Sequence, residues 1–561
     1  MSSLASNLTQ RRLKTILVLI PLLTFGLLGR LFYWQIIRGP ELKTKAAKQH
    51  QTVTLLKAKR GDIIDTEGNV LAGTKNLFHL FVYKPQLEIS EVELIEKLAT
   101  SIKPDPESTA EGDMKSYLLK RLGLDSNWIS LKHYLTPEER DAIAQLNITG
   151  LGFEDEYVRF YPEASMSAHV LGFVGQDIAG EEQGYFGLEG YFDRKLRGRS
   201  GKVRTEKDAK GNPILIGDYQ LLHSVEGKPI QTTIDKKTQY IAESSLKEGL
   251  DRYQASAGNV IIMETKTGKI RAMASYPNYD PQIFSKFDQS SFKNPNVSAL
   301  FEPGSIFKVL IMAAGFNEGV VTPETICDIC QKPLVIGKYT IKTWNEEYHA
   351  NSTMTDVIIN SDNVGMAFVA FKLGREKFAE YLALLGFGGK TGIELQEEVS
   401  GQIRSADQFG DIDLATESFG QGVAVTPIQM ISAVNVIANK GYYAKPTVIE
   451  GDLADNKDTV RIYSQEAVDQ ITRVMVQAAE KGDAKWAKPK GLSVAGKTGT
   501  AQIPIEGHYD PEKTIASFVG FFPAGNPKYT MLVTLREPQT SPWGSETAAP
   551  LWFSIAKSLL L

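Results

Sequence analysis

Apolar and polar positions divide the chain into regions before any single residue stands out. Ile16 to Gly29 is a nearly unbroken apolar run, preceded by Arg11, Arg12 and Lys14. Arg30 interrupts it, and a second run, Leu31 to Ile37, carries Tyr33 and Trp34. A membrane-spanning helix needs about 20 apolar residues. The first run alone is short. The two together are long enough, with Arg30 snorkelling outward and Tyr33 and Trp34 at the interface. Pro21 is tolerable in such a helix. No small-x-small cleavage site follows, so the pattern predicts an uncleaved anchor over 15–37 behind a tail of residues 1–14. Lys and Arg crowd both flanks, and charge alone leaves the orientation open.

Beyond a basic linker the chain turns strand-like near Val53, and Thr66 to Asn69 reads as a turn between short strands. Residues from about 88 to 147 are helical in pattern and rich in charge. Glycines from Gly198 to Gly217 suggest an extended hairpin, and a domain boundary falls near Gly227. The second half opens with Ile230 to Asp235 and a helix through Leu250. A hairpin follows, Asn259–Met263 and Lys269–Ala274 around Lys266-Thr267-Gly268. Residues 300–440 are mainly helical. Strands return at Leu492–Gly496, Ser517–Phe522 and Tyr529–Leu535, and a helix from about Ala548 ends the chain. Strands at both ends of a domain with helices between them predict an α+β domain whose sheet joins its two ends.

With 561 residues the chain is long enough for about two to four domains. Its near-balanced charge, −4 overall, gives no support for nucleic-acid binding. Cys327 and Cys330 are the only cysteines, too few for a four-cysteine zinc site. A local disulfide and a pair of free thiols both fit their spacing. Nothing in the sequence calls for a metal or a cofactor.

The candidate chemistry begins at Pro303-Gly304-Ser305-Ile306-Phe307-Lys308, where a turn feeds the apolar stretch Val309 to Ala314. Lys308 is the only ionisable side chain between Pro303 and Phe316. Residues three apart share a helical face, and burial lowers a lysine's pKa. A neutral lysine beside a serine is a base beside a nucleophile. By itself the tetrad reads more simply as an N-cap serine with a snorkelling lysine. Two further motifs change that reading. Ser361-Asp362-Asn363 lies between apolar segments, and Lys497-Thr498-Gly499-Thr500 follows the strand-like Leu492–Gly496. The ordered triple Ser-x-x-Lys, Ser-x-Asn, Lys-Thr-Gly is that of penicillin-binding proteins and β-lactamases. Lys390-Thr391-Gly392 repeats the last motif, but it sits in a glycine-rich loop after a helix. The chemistry needs an edge strand that pairs with an extended peptide, which selects Lys497.

On these residues the chain resembles a class B penicillin-binding protein, a peptidoglycan D,D-transpeptidase, over nearly its whole length. Arg60-Gly61 with Asp65 and Gly68, Arg159-Phe160-Tyr161-Pro162 and Gly187-Leu188-Glu189-Gly190 are similar to the family's linker signatures. Phe419-Gly420-Gln421-Gly422 with Thr426-Pro427, Ser517 to Phe521 and Ala548-Ala549-Pro550 match in the catalytic half. The resemblance implies an elongated α+β pedestal over 38–226. It also implies a β-lactamase-like transpeptidase domain over 227–561, a mainly antiparallel sheet flanked by helices with an all-helical lobe. It implies extracytoplasmic placement of both. Ser305 would attack a stem-peptide carbonyl, with Lys308 as base. Lys497 would hold the Lys308 pKa down. Ser361 would relay the proton, and Asn363 would bind the donor's side-chain amide and keep Lys308 placed. Thr498 and Thr500, flanking Gly499, would take the terminal carboxylate, and the Ser305 and Thr500 N–H groups would form the oxyanion hole. β-Lactams would acylate Ser305. The implied partner is a multispanning glycan polymerase, because no glycosyltransferase module precedes the pedestal. Glu302 and Ser361-Asp362-Asn363-Val364-Gly365 lean to division-type members. Asp362 stands where many relatives have Ser, is expected to point away from the nucleophile, and takes no role. A D,D-carboxypeptidase would share every one of these residues. A β-lactamase would need an activating Glu-x-x-Leu-Asn-like segment that is absent here. A scaffold that activates the polymerase is the alternative outside enzymology.

Overall fold

The computed structural model describes residues 2–102, 114–206, 220–451, 460–505 and 508–560. The described chain forms two compact units. In the first, one helix runs Ser2–Phe32 and closes in a π-helical turn, Tyr33–Ile37. Its apolar side chains from Leu13 onward are exposed, and Gln10–Ile37 is long and apolar enough to cross a bilayer once. A second helix, Gly39–His50, leads to a three-stranded antiparallel sheet of Gln51–Leu56, Gly201–Glu206 and Gln220–Leu222. The last two strands are the two arms of the predicted glycine-rich hairpin; the chain between them, 207–219, lies outside the described residues.

The second unit combines Lys59–Arg197 with Gly227–Leu561. Its first sheet is built on the 14-residue strand Val70–Tyr83, which pairs with Trp128–Leu135 on one side and Leu151–Phe160 on the other. Two expectations are corrected here. The Thr66–Asn69 turn leads into this long strand rather than a short one. The stretch 88–147 holds helices Glu91–Ser101, Met114–Leu122 and Pro137–Ala144, but Trp128–Leu135 between them is a strand. Ile129 and Leu131 are buried while Trp128 is exposed, a two-residue alternation that the surrounding charge conceals.

The three linker signatures meet in one buried ion cluster. Glu189 accepts Arg60 Nε at 2.7 Å and Arg159 Nε at 2.6 Å, and Arg60 Nη1 donates to Asp193 at 2.8 Å. Arg159 Nη1 also donates to the Gly61 carbonyl at 2.9 Å. Glu189 is fully buried, so its charge is tolerable only because two guanidiniums surround it. Asp65 plays a local part: its Oδ1 accepts the N–H groups of Glu67 and Asn69, both at 2.8 Å, which shapes the turn.

In the catalytic half we label five strands: β1 (Ala257–Glu264), β2 (Ile270–Tyr276), β3 (Ala495–Ile505), β4 (His508–Phe522) and β5 (Tyr529–Arg536). They form one antiparallel sheet in the order β2-β1-β5-β4-β3, which joins the two ends of the domain as predicted. The helices Lys236–Tyr253 and Ala548–Leu560 contribute to the core on one part of this sheet, where Trp552 donates Nε1–H to the Met531 carbonyl at 2.9 Å. The other core is helical: Lys308–Asn317, Asn363–Leu373, Pro427–Ala438 and Gln465–Lys481. The first three are apolar all round, the signature of a buried helix. Cys327 and Cys330 are buried and joined in a disulfide, which resolves the two readings of that pair.

Glu189→Ala would leave two buried guanidiniums without their carboxylate. We expect it to destabilise this unit by about 3–5 kcal/mol, read as a lower denaturation midpoint; a midpoint equal to the parent's would show the cluster to be dispensable.

Candidate active site

The three motifs come from three elements. Ser305 lies in a 3₁₀ turn, Gly304–Phe307, that runs directly into the Lys308–Asn317 helix. In such a turn residues three apart eclipse, so Ser305 and Lys308 share a face as predicted. The turn is held from behind. Phe301 and Val425 exchange backbone hydrogen bonds at 2.9 and 3.0 Å, and Gly304 N–H donates to Gly420 O at 3.0 Å. Gly420 has φ +83°, and a Cβ there would stand 2.2 Å from Gly304 O. The Phe419-Gly420-Gln421-Gly422 motif therefore backs the nucleophile's turn.

Ser361 and Asn363 flank the start of the Asn363–Leu373 helix. Asp362 is its N-cap: Oδ1 accepts the N–H groups of Val364 and Gly365 at 2.7 and 3.2 Å. Its Oδ1 is thus used in starting the helix, and its charge also raises the Lys308 pKa, after burial and Lys497 the smallest influence there. Ser361 has φ +56°, an uncommon left-handed conformation for a non-glycine residue. That twist aims both its carbonyl and its hydroxyl at Lys308.

Lys497, Thr498, Gly499 and Thr500 lie inside β3, which starts at Ala495, rather than after a strand ending at Gly496. β3 is the sheet's edge and pairs only with β4, Lys497 opposite Val519 and Thr500 opposite Ala516. Its outer backbone groups face the cleft. A Cβ on Gly499 would stand 2.4 Å from Ser517 Oγ and 2.9 Å from Ile306; glycine lets the strand close on the nucleophile's turn. The repeated triplet at Lys390 is elsewhere: Thr391 and Gly392 are in a loop wrapped round the Glu398 carboxylate.

Lys308 is fully buried. Its Nζ lies 2.6 Å from Ser361 O, 2.7 Å from Asn363 Oδ1 and 3.2 Å from Ser361 Oγ. Burial, and after it the charge of Lys497, holds its pKa well below the ordinary lysine value. Nζ can donate to all three oxygens. Once deprotonated, the amine keeps two N–H groups for the carbonyl oxygens and can turn its lone pair to a hydroxyl. The Ser361 hydroxyl is also 3.1 Å from Lys497 Nζ. It thus bridges the two lysine amines. Burial lowers the Lys497 pKa to about 8.

Ser305 Oγ makes no hydrogen bond among the described residues, to Lys308 or to any other group, and Lys308 is satisfied by the Ser361–Asn363 segment. Free enzymes often hold such contacts loosely. Ser305 opens on a cleft of about 700 Å³ lined also by Ser361, Asn363, Thr498 and Thr500. Thr500 Oγ1 accepts the Gly544 N–H at 3.0 Å, which leaves its proton free to donate into the cleft.

Three features of the cleft were not read from sequence. Trp344 and Trp543 pack with ring centroids 5.1 Å apart at its wall. Glu302 accepts the Tyr509 hydroxyl at 3.1 Å and the Gly422 N–H at 3.1 Å, tying the β3–β4 hairpin to the nucleophile's turn. Asp483 lies in the turn after the Gln465–Lys481 helix and lines the same cleft. Each joins segments more than a hundred residues apart or depends on them, and no local pattern signals it.

The chain matches the penicillin-binding protein transpeptidase domain over residues 258–560 and the penicillin-binding protein dimerisation domain over residues 55–232. Stage V sporulation protein D of Bacillus subtilis is 30% identical, over 99% of this chain and 86% of its own length. The peptidoglycan D,D-transpeptidase FtsI of Buchnera aphidicola is 27% identical, over 98% of this chain and 95% of its own. The crystal structure of penicillin-binding protein 2X from Streptococcus thermophilus is similar with a TM-score of 0.78 at 25% identity, over 91% of this chain and 80% of that one. With a dimerisation domain ahead of a transpeptidase domain, and a relative matched almost end to end, the chain belongs to the class B penicillin-binding proteins.

Proposed function

We propose that this protein is a serine D,D-transpeptidase that crosslinks peptidoglycan stem peptides through an acyl-enzyme on Ser305 and is inhibited by β-lactams. The observation that carries the reading is the buried Lys308 amine, its pKa held well below the ordinary lysine value, one turn from a serine hydroxyl that opens on the cleft and makes no hydrogen bond among the described residues. Ser305 Oγ attacks the penultimate D-alanine carbonyl, and Lys308 takes its proton. The backbone N–H groups of Ser305 and Thr500 hold the oxyanion, a contribution of about 3 kcal/mol for each donor. Thr498 and Thr500 hold the terminal carboxylate, with Lys497 as the nearby positive charge. When the C–N bond breaks, Ser361 passes the proton from Lys308 to the departing D-alanine. Asn363 keeps Lys308 in place and hydrogen-bonds the donor's side-chain amide. An amine from a neighbouring strand then takes the acyl group and frees Ser305.

The domain scheme that fits this reading is a tail over 1–14, an anchor over 15–37, a pedestal over 38–226 and a transpeptidase domain over 227–561. The catalytic domain is extracytoplasmic, where its substrate lies and where the Cys327–Cys330 disulfide is stable. The relatives side with the division-type branch. A multispanning glycan polymerase contacting the anchor and pedestal supplies the strands to be crosslinked.

A fluorescent penicillin should label the parent protein on the peptide containing Ser305 and leave Ser305→Ala unlabelled. A label mapped elsewhere would overturn the site. The acylation rate should also depend on pH through both lysines. It rises with pH as Lys308 loses its proton, below the ordinary lysine range. It falls again above about pH 8, as Lys497 loses the charge that draws the penicillin carboxylate. A profile flat to pH 10 would contradict the role of Lys497.

A further inference from the structure

The second half of the reaction needs an amine, and a lysine-like amine, with a pKa of about 10.4, reaches the cleft as an ammonium. The cleft is poor ground for a cation. Lys497 titrates at about 8, so it is largely charged at neutral pH, and Lys481 and Lys485 line the same space. The incoming nitrogen also has little choice of position. Aminolysis reverses the step that expelled D-alanine, so the attacking nitrogen takes the place the leaving nitrogen had. On the transpeptidase reading, that place is bounded by Ser361, Lys497 and Thr498.

Asp483 is the carboxylate at that end. It lines the cleft together with Ser305 and Ser361, and a small recess together with Lys497 and Thr498. Its charge is felt at Lys497, whose pKa it raises against the effect of burial. It is exposed, and among the described residues its side chain forms no ion pair and no hydrogen bond, so nothing in its own turn uses it. Lys481 beside it, by contrast, is bonded to Gln477 at 3.0 Å. The cleft's other lining carboxylate, Glu546, is in the segment that follows Trp543 and Gly544, next to Thr500.

We propose that Asp483 is a positioning residue for the acceptor: it offsets the lysine charges and draws the acceptor ammonium to the acyl carbon. This inference rests on the transpeptidase reading of Ser305. The ammonium gives one proton to solvent on entry. Its nitrogen forms the C–N bond as the bond from the acyl carbon to Ser305 Oγ breaks, and its second proton returns through Ser361 and Lys308 to that oxygen. The donor peptide and penicillin carry carboxylates, so Asp483 acts on them only through the Lys497 charge, before either nucleophile arrives. Neutralising it therefore separates a cationic acceptor from a neutral one, which loss of a merely structural residue would not do.

The test uses the full chain in detergent at about pH 7, below the titration of Lys497, with an acyl-D-alanyl thioester donor. Two nucleophiles are compared: Nα-acetyl-lysinamide, an ammonium at that pH, and hydroxylamine, which is mostly neutral. In Asp483→Asn, aminolysis by Nα-acetyl-lysinamide should fall about tenfold, the size of one partly screened charge contact. Hydroxylaminolysis should lose much less, and the ratio of the two products, which is blind to any acylation change that follows the Lys497 charge, should fall several-fold. Asp483→Glu should restore most of the loss. A product ratio equal to the parent's, an unchanged lysinamide reaction, or no lysinamide reaction in the parent would each overturn the proposal. Failure of the transpeptidase reading is distinct, because then the parent would carry no penicillin label on Ser305.

Discussion

A primary amine buried with no carboxylate bonded to it among the described residues is the constraint on which the catalytic half depends. Lys308 sits among apolar neighbours on a helix that is buried on every side. An ammonium there would have to be stabilised by a carboxylate, and none bonds to it; the amine is instead tied to a carbonyl, an amide oxygen and a hydroxyl. Neutral oxygens stabilise an ammonium less than a bonded carboxylate would, so burial, and after it the Lys497 charge, sets the direction of the shift. The helix must be apolar to desolvate Lys308. Ser361 must adopt its left-handed conformation to offer two oxygens at once, and Asp362 must cap the next helix to hold Ser361 there. A strained serine and a buried cap are the local expense of keeping one base neutral.

The same economy of position runs through the sheet. β3 is useful because it is an edge, and it can approach Ser305 because Gly499 has no side chain between it and Ile306. The turn that carries Ser305 is fixed by Phe301, Val425 and the Gly304–Gly420 contact. Ser305, Lys308 and the edge strand β3 thus rest on the helical core and the sheet at once. Neither layer alone would hold all three.

Much of this was legible in local sequence. The anchor, the β1–β2 hairpin, the buried helix at Lys308 and the return of strands near the end all follow from short-range periodicity and turn chemistry. The strand Trp128–Leu135 was hidden because only alternate residues are buried and its neighbours are charged. Lys497 was placed after a strand because Gly496 looked like a terminus, whereas the strand starts one residue before it and continues through the motif. Arg60, Arg159 and Glu189 were visible as three separate signatures. That they are one ion cluster was not, since the cluster joins positions 129 and 30 residues apart.

The sequence by itself determined the inventory: a serine three residues before the only lysine of an apolar helix, two further motifs in order, and an edge-strand requirement that chooses Lys497 over Lys390. Local propensity and residue chemistry suffice for that, because each judgement spans only a few residues. Tertiary structure alone decided the bridging of Lys497 and Lys308 by the Ser361 hydroxyl, the lack, among the described residues, of a Ser305–Lys308 bond, the closed disulfide and the place of Asp483 at the cleft. Those depend on desolvation and on charges brought together from positions 53 to 136 residues apart. Such interactions act through space, and only the folded chain sets their distances.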